Sequence, residues 1–324
     1  MKNAPRRGIV CALFCGLPRQ EHRMAVFVAA SDETSGRDEN CIYHYSGWVA
    51  PEQDWSRYFS PAWQEQVLNG PPKIPYLHMT DIRRQQWRDE HKIARDDADW
   101  RMDIAAIVIK QMGSLYPLNL QIDGSRFKPL FKEHTVVLPA GGEKRFLPDF
   151  LAFLSYAWCV LAYVKAKHPC AEKVDFMVER NSDITRYMNA FYDQLPAALV
   201  KIKSPELVDL MGDFVPVDKH RPPVQAADYL CWLSRRAEEN ALGERDLKRF
   251  GTISCRQGFK LALPDSVLTG LAESFSKNGL SREEINRIRS VRKDNTEPDE
   301  RSARTDKGGR RRTKGGQTKK KAEG

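Results

Sequence analysis

Met24–Ser31 (MAVFVAAS) is a continuous apolar run that ends in Asp32 and Glu33. Such a run predicts a central strand buried on both faces. Cys41–Ala50 (CIYHYSGWVA) is β-branched and aromatic with partial alternation, and predicts a second strand. The charged, Gly-containing stretch Asp32–Asn40 between them predicts a hairpin turn. Leu118–Asp123 (LNLQID) and Val174–Glu179 (VDFMVE) alternate as half-buried strands do, and Leu207–Val217 reads as a further strand. Helical patterning marks Tyr58–Leu68, Asp96–Met112, Ile184–Leu195 and Val224–Asn240. Strands that come first as a hairpin and later alternate with helices predict an α/β fold: a mixed β-sheet flanked by helices on both faces.

The longest apolar run, Phe150–Val164, is apolar on every side. As a helix it spans ~22 Å, short of the ~30 Å bilayer core. Pro148 and Asp149 suit its start and Lys165, Lys167 and His168 its end. We read a buried central helix with no membrane span; the interface of a homodimer is the other placement.

Composition adds a boundary. The chain has 324 residues and a formal charge of +9, yet residues 301–324 alone carry ten Lys/Arg and two Asp/Glu, a net of +8. The body is nearly neutral. From about Ser290 apolar residues fade, so 291–324 is expected to be a disordered basic tail. Ten flexible cations would raise affinity for a polyanion such as DNA or RNA in a salt-dependent, sequence-independent way. Residues 1–23 hold a basic start and a mildly apolar Gly8–Leu17 without an A-x-A-like site, and read as a dispensable N-terminal extension. Residues 24–290 form the expected folded domain. The seven cysteines are widely spaced, with no C-x-x-C and no zinc-finger spacing, which suits reduced thiols in the cytoplasm.

No Walker loop, G-x-G-x-x-G, G-x-S-x-G or H-E-x-x-H occurs, so nucleotide hydrolases, Rossmann dehydrogenases, α/β-hydrolases and zincins lose support. Carboxylates at strand ends remain: Asp32 and Glu33, then Asp123, then Glu179. Asp228 lies inside the otherwise apolar PVQAADYL helix face, where an acid needs a partner. If the strands lie side by side, these acids converge at one sheet edge. Clustered acids repel, and Mg²⁺ or Mn²⁺ is the usual remedy. Taken singly, each such acid also suits a solvated turn or a helix N-cap. The aromatic residues Trp48, Trp55, Tyr58, Phe59, Trp63 and Trp87 suit packing against the sheet better than stacking on bases.

SDETSG after an apolar strand, GWVAP, LHMTD, VERN and PVQAADYL together resemble the domain of unknown function 3800 family, over about residues 24–240. The resemblance implies a ribonuclease H-like fold and nuclease activity. It carries over Asp32 and Glu33, then Leu77 and His78, then Glu179 with Val178 where the family pattern has an acid, and finally Gln225, Ala227 and Asp228. It implies Asp32, Glu179 and Asp228 as ligands of Mg²⁺ or Mn²⁺. Glu33 and Asp123 would be ligands or water-orienting groups, Gln225 a hydrogen-bonding partner within the site, and His78 a proton-transfer group. The expected function is cation-dependent phosphodiester cleavage of nucleic acid. The alternative is a non-catalytic ribonuclease H-like module that binds nucleic acid or a protein, which the missing acid at Val178 favours.

Overall fold

The computed structural model describes residues 25–34, 42–132, 134–137, 143–145, 147–180, 188–189, 191–254 and 259–277. The expected Asp32–Asn40 turn beyond residue 34, residues 184–187 and 190 of the expected Ile184–Leu195 helix, the N-terminal extension and the basic tail lie outside them.

Strands β1 (Ala25–Thr34), β2 (Ile42–Pro51) and β3 (Tyr116–Asp123) form an antiparallel meander. The meander is extended by β6 (Ala171–Glu179) and β7 (Met211–Val217), both parallel to β1. β8 (Phe259–Ala262) pairs parallel with β3, giving the order β7-β6-β1-β2-β3-β8 in which β2 alone runs against the rest. Thr135–Val137 (β4) and Glu143–Arg145 (β5) pair as a separate small ribbon.

The period-two alternation of β1 and β2 sorts the core onto two faces. Phe27, Ala29, Tyr45 and Val49 pack on one side and Val28, Ala30, Trp48 and Ala50 on the other. Both faces are covered by helices, as expected. The second face carries a continuous helical stretch at 52–68 (α1), then α4 (Arg95–Gln111) and α8 (Pro222–Glu238); between α1 and α4 come the short helices α2 (Met79–Ile82) and α3 (Gln85–Glu90). After β3 follow α5 (Gly124–Phe131) and, on the first face, α6 (Pro148–Lys167). α7 (Leu195–Lys201), α9 (Glu244–Ser254) and α10 (Asp265–Lys277) follow among the described residues.

The apolar run behaves as a core helix. α6 is long and apolar enough to cross a membrane by composition, yet most of it is buried against the sheet, with Phe150, Phe153 and Tyr156 near zero exposure. Pro148 opens it, where a missing N–H costs nothing, and Lys165 and Lys167 favour its carbonyl end.

One expected strand is shortened. Pro205–Leu210 is a 3₁₀ turn, and only Met211–Val217 is extended. Pro205 opens the turn, and Leu207 and Leu210 are buried three residues apart, the spacing of a three-residue repeat rather than of a strand.

Gly47 explains the close fit of β2 to its neighbours. A Cβ there would collide with the Ala30 carbonyl oxygen and lie 2.5 Å from the Tyr156 hydroxyl. Gly47→Ala is therefore expected to lower the unfolding free energy by about 3 kcal/mol through overpacking. An unchanged urea midpoint in the variant would refute this.

Candidate active site

Ser31 pairs with Val178 across parallel strands, so Asp32 and Glu179 end up side by side at the carboxyl ends of β1 and β6. Asp32 continues the row of Val28 and Ala30, and Glu179 the row of Met177; both rows lie on the α8 face. α8 is tied to that face by the Trp48 indole N–H, which donates to the Ala226 carbonyl at 3.0 Å. Two residues further along α8, Asp228 is buried and its Oδ2 accepts from the Met79 N–H at 2.6 Å. Asp32 thus feels the charges of Asp228 and Glu179, and Asp228 that of Glu179.

For Asp32 and Asp228 the electrostatics follow from burial and then from neighbouring charge. Burial, then Asp228, Glu33 and Glu179, push the Asp32 carboxyl well above its ordinary range. Burial pushes Asp228 up to about 6, with Glu179 and Asp81 adding to the rise and His78 and the Met79 N–H opposing it. Cys231, one turn along α8 from Asp228, is a buried thiol pushed up by burial and by Asp32. Among the described residues, no three His, Cys, Asp or Glu side chains stand in ligating geometry around one point.

Glu33 belongs to the other face, as its neighbour position in a strand requires. Burial, then Asp149 at the start of α6 and Glu179, raise it to about 8, and burial also raises Asp149. Val178, where the resemblance has an acid, alternates onto the face of Val174 and Phe176 and is 1% exposed. The missing acid is therefore missing from the Glu33–Asp149 side and leaves the Asp32, Glu179 and Asp228 side intact.

His78 enters from the loop ahead of α2, with Nδ1 3.2 Å from Asp81 Oδ2. That loop is pinned twice. Buried Arg101 donates to the carbonyls of Val67, Gly70 and Pro72. Gln225 Oε1 accepts from the Leu77 N–H at 3.0 Å and from the Trp63 indole at 2.8 Å, while its amide donates to the Lys219 carbonyl. Gln225, expected as a hydrogen-bonding partner within the site, is a buried clamp on the segment that carries His78. Asp81, which sequence reasoning passed over, accepts from Lys219 at 3.0 Å and from the Tyr76 hydroxyl at 3.1 Å. Burial opposes its ionisation, but Lys219, His78 and Tyr76 outweigh that and hold it below the usual carboxylate range.

Compared with known protein families, curated proteins and solved structures, the chain matches none.

Asp123 does not join the site. It pairs with Ile42, four positions further along the sheet than the level of Asp32, Ser46 and Asn119, or ~13 Å at strand rise. It is exposed and caps α5, accepting from the Ser125 N–H at 2.9 Å and hydroxyl at 2.6 Å. The N-cap role open to any strand-end acid is the one it fills. The aromatic residues fall as expected: Trp48, Trp55, Phe59, Trp63 and Trp87 are buried, and Tyr58 alone of that group is exposed.

Proposed function

We propose that this chain is a divalent-cation-dependent nuclease with a ribonuclease H-like core. The observation that carries the reading is the burial of Asp32 and Asp228 beside Glu179, which raises both carboxyls above their ordinary range. Two features of the fold support the architecture. The meander followed by two parallel strands gives the order β7-β6-β1-β2-β3 with β2 reversed, and α6 crosses between the meander and β6. The motif resemblance points to the same core.

An all-oxygen, acid-only donor set suits a hard cation such as Mg²⁺ or Mn²⁺ rather than zinc or copper. Mg²⁺ commonly takes one or two carboxylates and fills its shell with water and substrate phosphate, so Asp32 with Glu179 or Asp228 is a sufficient protein share. Bound there, the cation would supply Lewis acidity to the phosphodiester and a more acidic water. The chain's own residues supply placement. The Met79 N–H fixes the Asp228 carboxylate, Asp81 held by Lys219 lies 3.2 Å from His78 Nδ1, and Gln225 holds Trp63 and Leu77 against α8. His78 stands where a proton could pass to a leaving oxygen.

A second reading is a non-catalytic nucleic-acid-binding module, favoured by the lack of three ligating groups around one point among the described residues. Labelled DNA and RNA, single- and double-stranded, incubated with Mg²⁺, Mn²⁺ or EDTA, separate the two. A nuclease cuts at least one substrate only with cation and stops cutting in Asp32→Asn. Binding without cutting under every condition, or cutting that survives Asp32→Asn, would sink the nuclease reading.

A further inference from the structure

A cleft of about 490 Å³ opens between α2, α3, α4, α8 and α9, toward the far end of α8 from Asp228. Six arginines line it: Arg83, Arg88, Arg95, Arg236, Arg245 and Arg249. Against them stand three acids, Asp99, Asp246 and Glu244. Three of the arginines are spoken for. Arg249 is buried and bridges Asp99, Asp103 and Asp246. Arg245 pairs with Asp103, and Arg83 grips Asp246 with both contacts under 3 Å. The other three have no carboxylate partner among the described residues. Arg88 donates to the carbonyls of Ile82 and Arg83, and Arg236 donates to Ala241 while its buried Nε has no acceptor. Arg95 is exposed at the first turn of α4.

A half-buried tryptophan lies in the same corner. Arg83 sits over the Trp232 ring at 4.2 Å and Arg236 at 5.6 Å. Asp228, Trp232 and Arg236 follow one another at four-residue intervals, so they share one stripe of α8. Eight residues of helix place Arg236 ~12 Å from Asp228 along the axis. At ~3.4 Å of rise per nucleotide, that is roughly three to four nucleotide steps from the carboxylates.

We propose that this cleft holds the phosphate backbone of the nucleic-acid strand whose scissile phosphate lies at Asp32, Glu179 and Asp228, with Arg88, Arg95 and Arg236 as the phosphate-binding groups. The proposal rests on the nuclease reading for its register and extends it to the substrate's path. Guanidinium groups without acid partners, around a cleft lined by six arginines against three acids, with Asp103 behind Arg245 and Arg249, are what a polyanion requires. The excess also explains why the ion-pair network on Asp99, Asp103 and Asp246 is so complete: it spaces the arginines without neutralising them all.

The test uses the full chain in EDTA, so that binding is measured apart from cutting. The probe is a fluorescein-labelled single-stranded 20-mer, followed by anisotropy from low to moderate salt. Arg95→Ala and Arg236→Gln together should weaken binding about tenfold and flatten the log–log salt slope by about 1.4, two lost phosphate contacts at ~0.7 each. Arg95→Ala alone should give about half that change in slope with an unaltered melting temperature, which keeps the test valid if Arg236→Gln perturbs folding. Unchanged affinity and slope in both variants, with cutting intact in Mg²⁺, overturns the cleft and leaves the nuclease reading standing. Binding that depends on the arginines in a chain that never cuts supports the cleft and removes the nuclease reading. If inorganic phosphate raises the melting temperature through these arginines while oligonucleotide affinity ignores them, the cleft is a small-anion site and the proposal fails.

Discussion

Without divalent cation, the protein should lose about 2 kcal/mol or more of stability between pH 6.5 and pH 8, and Mg²⁺ should cancel or reverse that loss. The sign follows from linkage. Glu33 titrates near 4.5 when unfolded but near 8 in the fold, because burial and then Asp149 and Glu179 disfavour its charge. Its proton is therefore held by the folded state alone through most of this window and is half lost by pH 8, so stability falls as pH rises by up to the full-proton value. One proton over 1.5 pH units is worth about 2 kcal/mol, and Asp32, raised in the same direction, adds to it. The window avoids a competing group. Burial pushes His44 down to about 4, which makes stability rise with pH, but that effect is confined to pH below the ordinary histidine value of 6.5. Bound cation must reverse the slope, because its ligands have to be deprotonated and binding tightens as pH rises. Thermal melts at the two pH values, with EDTA and then with Mg²⁺, measure this directly. Equal stability at both pH values in EDTA would show that the buried acids are neutralised within the fold, and would remove the main ground for a cation site.

The strands and the core helix were legible because their signals are local. Val28 and Ala30 alternate with Phe27 and Ala29, and Phe150–Val164 has no polar side at all, so burial on both faces is the one outcome such runs allow. Asp32 and Glu179 were legible for the same reason: each is fixed at the end of a strand. The period of two also carried the separation of Glu33 from Asp32 onto opposite faces. Treating the two as one motif concealed it. Asp123 looked equivalent to the others because strand ends look alike in sequence, while register is set by pairing, and its pairing with Ile42 carries it past the site.

Other members of the site had no local signal. Asp149 reads as an ordinary acid at a helix start, and only the packing of α6 across the sheet brings it to Glu33. Gln225 reads as a polar site residue, since nothing nearby in sequence reveals that its partners are Trp63, Leu77 and the Lys219 carbonyl. Arg83, Arg95, Arg236 and Arg249 come from four segments and form a cleft only after folding. Cys231 could have been found: it stands three residues after Asp228, and so on the same side of α8.

Asp228→Asn should lower cation-dependent cleavage by on the order of 10²-fold or more while keeping or raising the metal-free melting temperature at pH 8. Two roles meet at this carboxylate. It caps the Met79 N–H at 2.6 Å, and it adds negative charge to a buried face that already holds Asp32 and Glu179. Asn keeps a carbonyl oxygen for Met79, and its amide can donate to the neighbouring acids. What it removes is the cost of ionisation. A carboxyl raised from 3.8 to about 6 is destabilised, once charged, by about 3 kcal/mol relative to the unfolded chain. The hydrogen bond from the Met79 N–H is already inside that balance, because it opposes the rise. The balance favours Asn without metal. Asp228→Ala separates the roles, because it removes the same charge but leaves the Met79 N–H buried without an acceptor, at a cost of about 1–3 kcal/mol. The expected pattern is thus an inactive Asn variant at least as stable as the parent, and an inactive Ala variant clearly less stable than the Asn variant. Metal-free melting curves of the three proteins, set beside their cleavage rates in Mg²⁺, decide it. An Asn variant that melts several degrees below the parent would make Asp228 chiefly a structural cap, and one that still cuts would remove it from the chemistry.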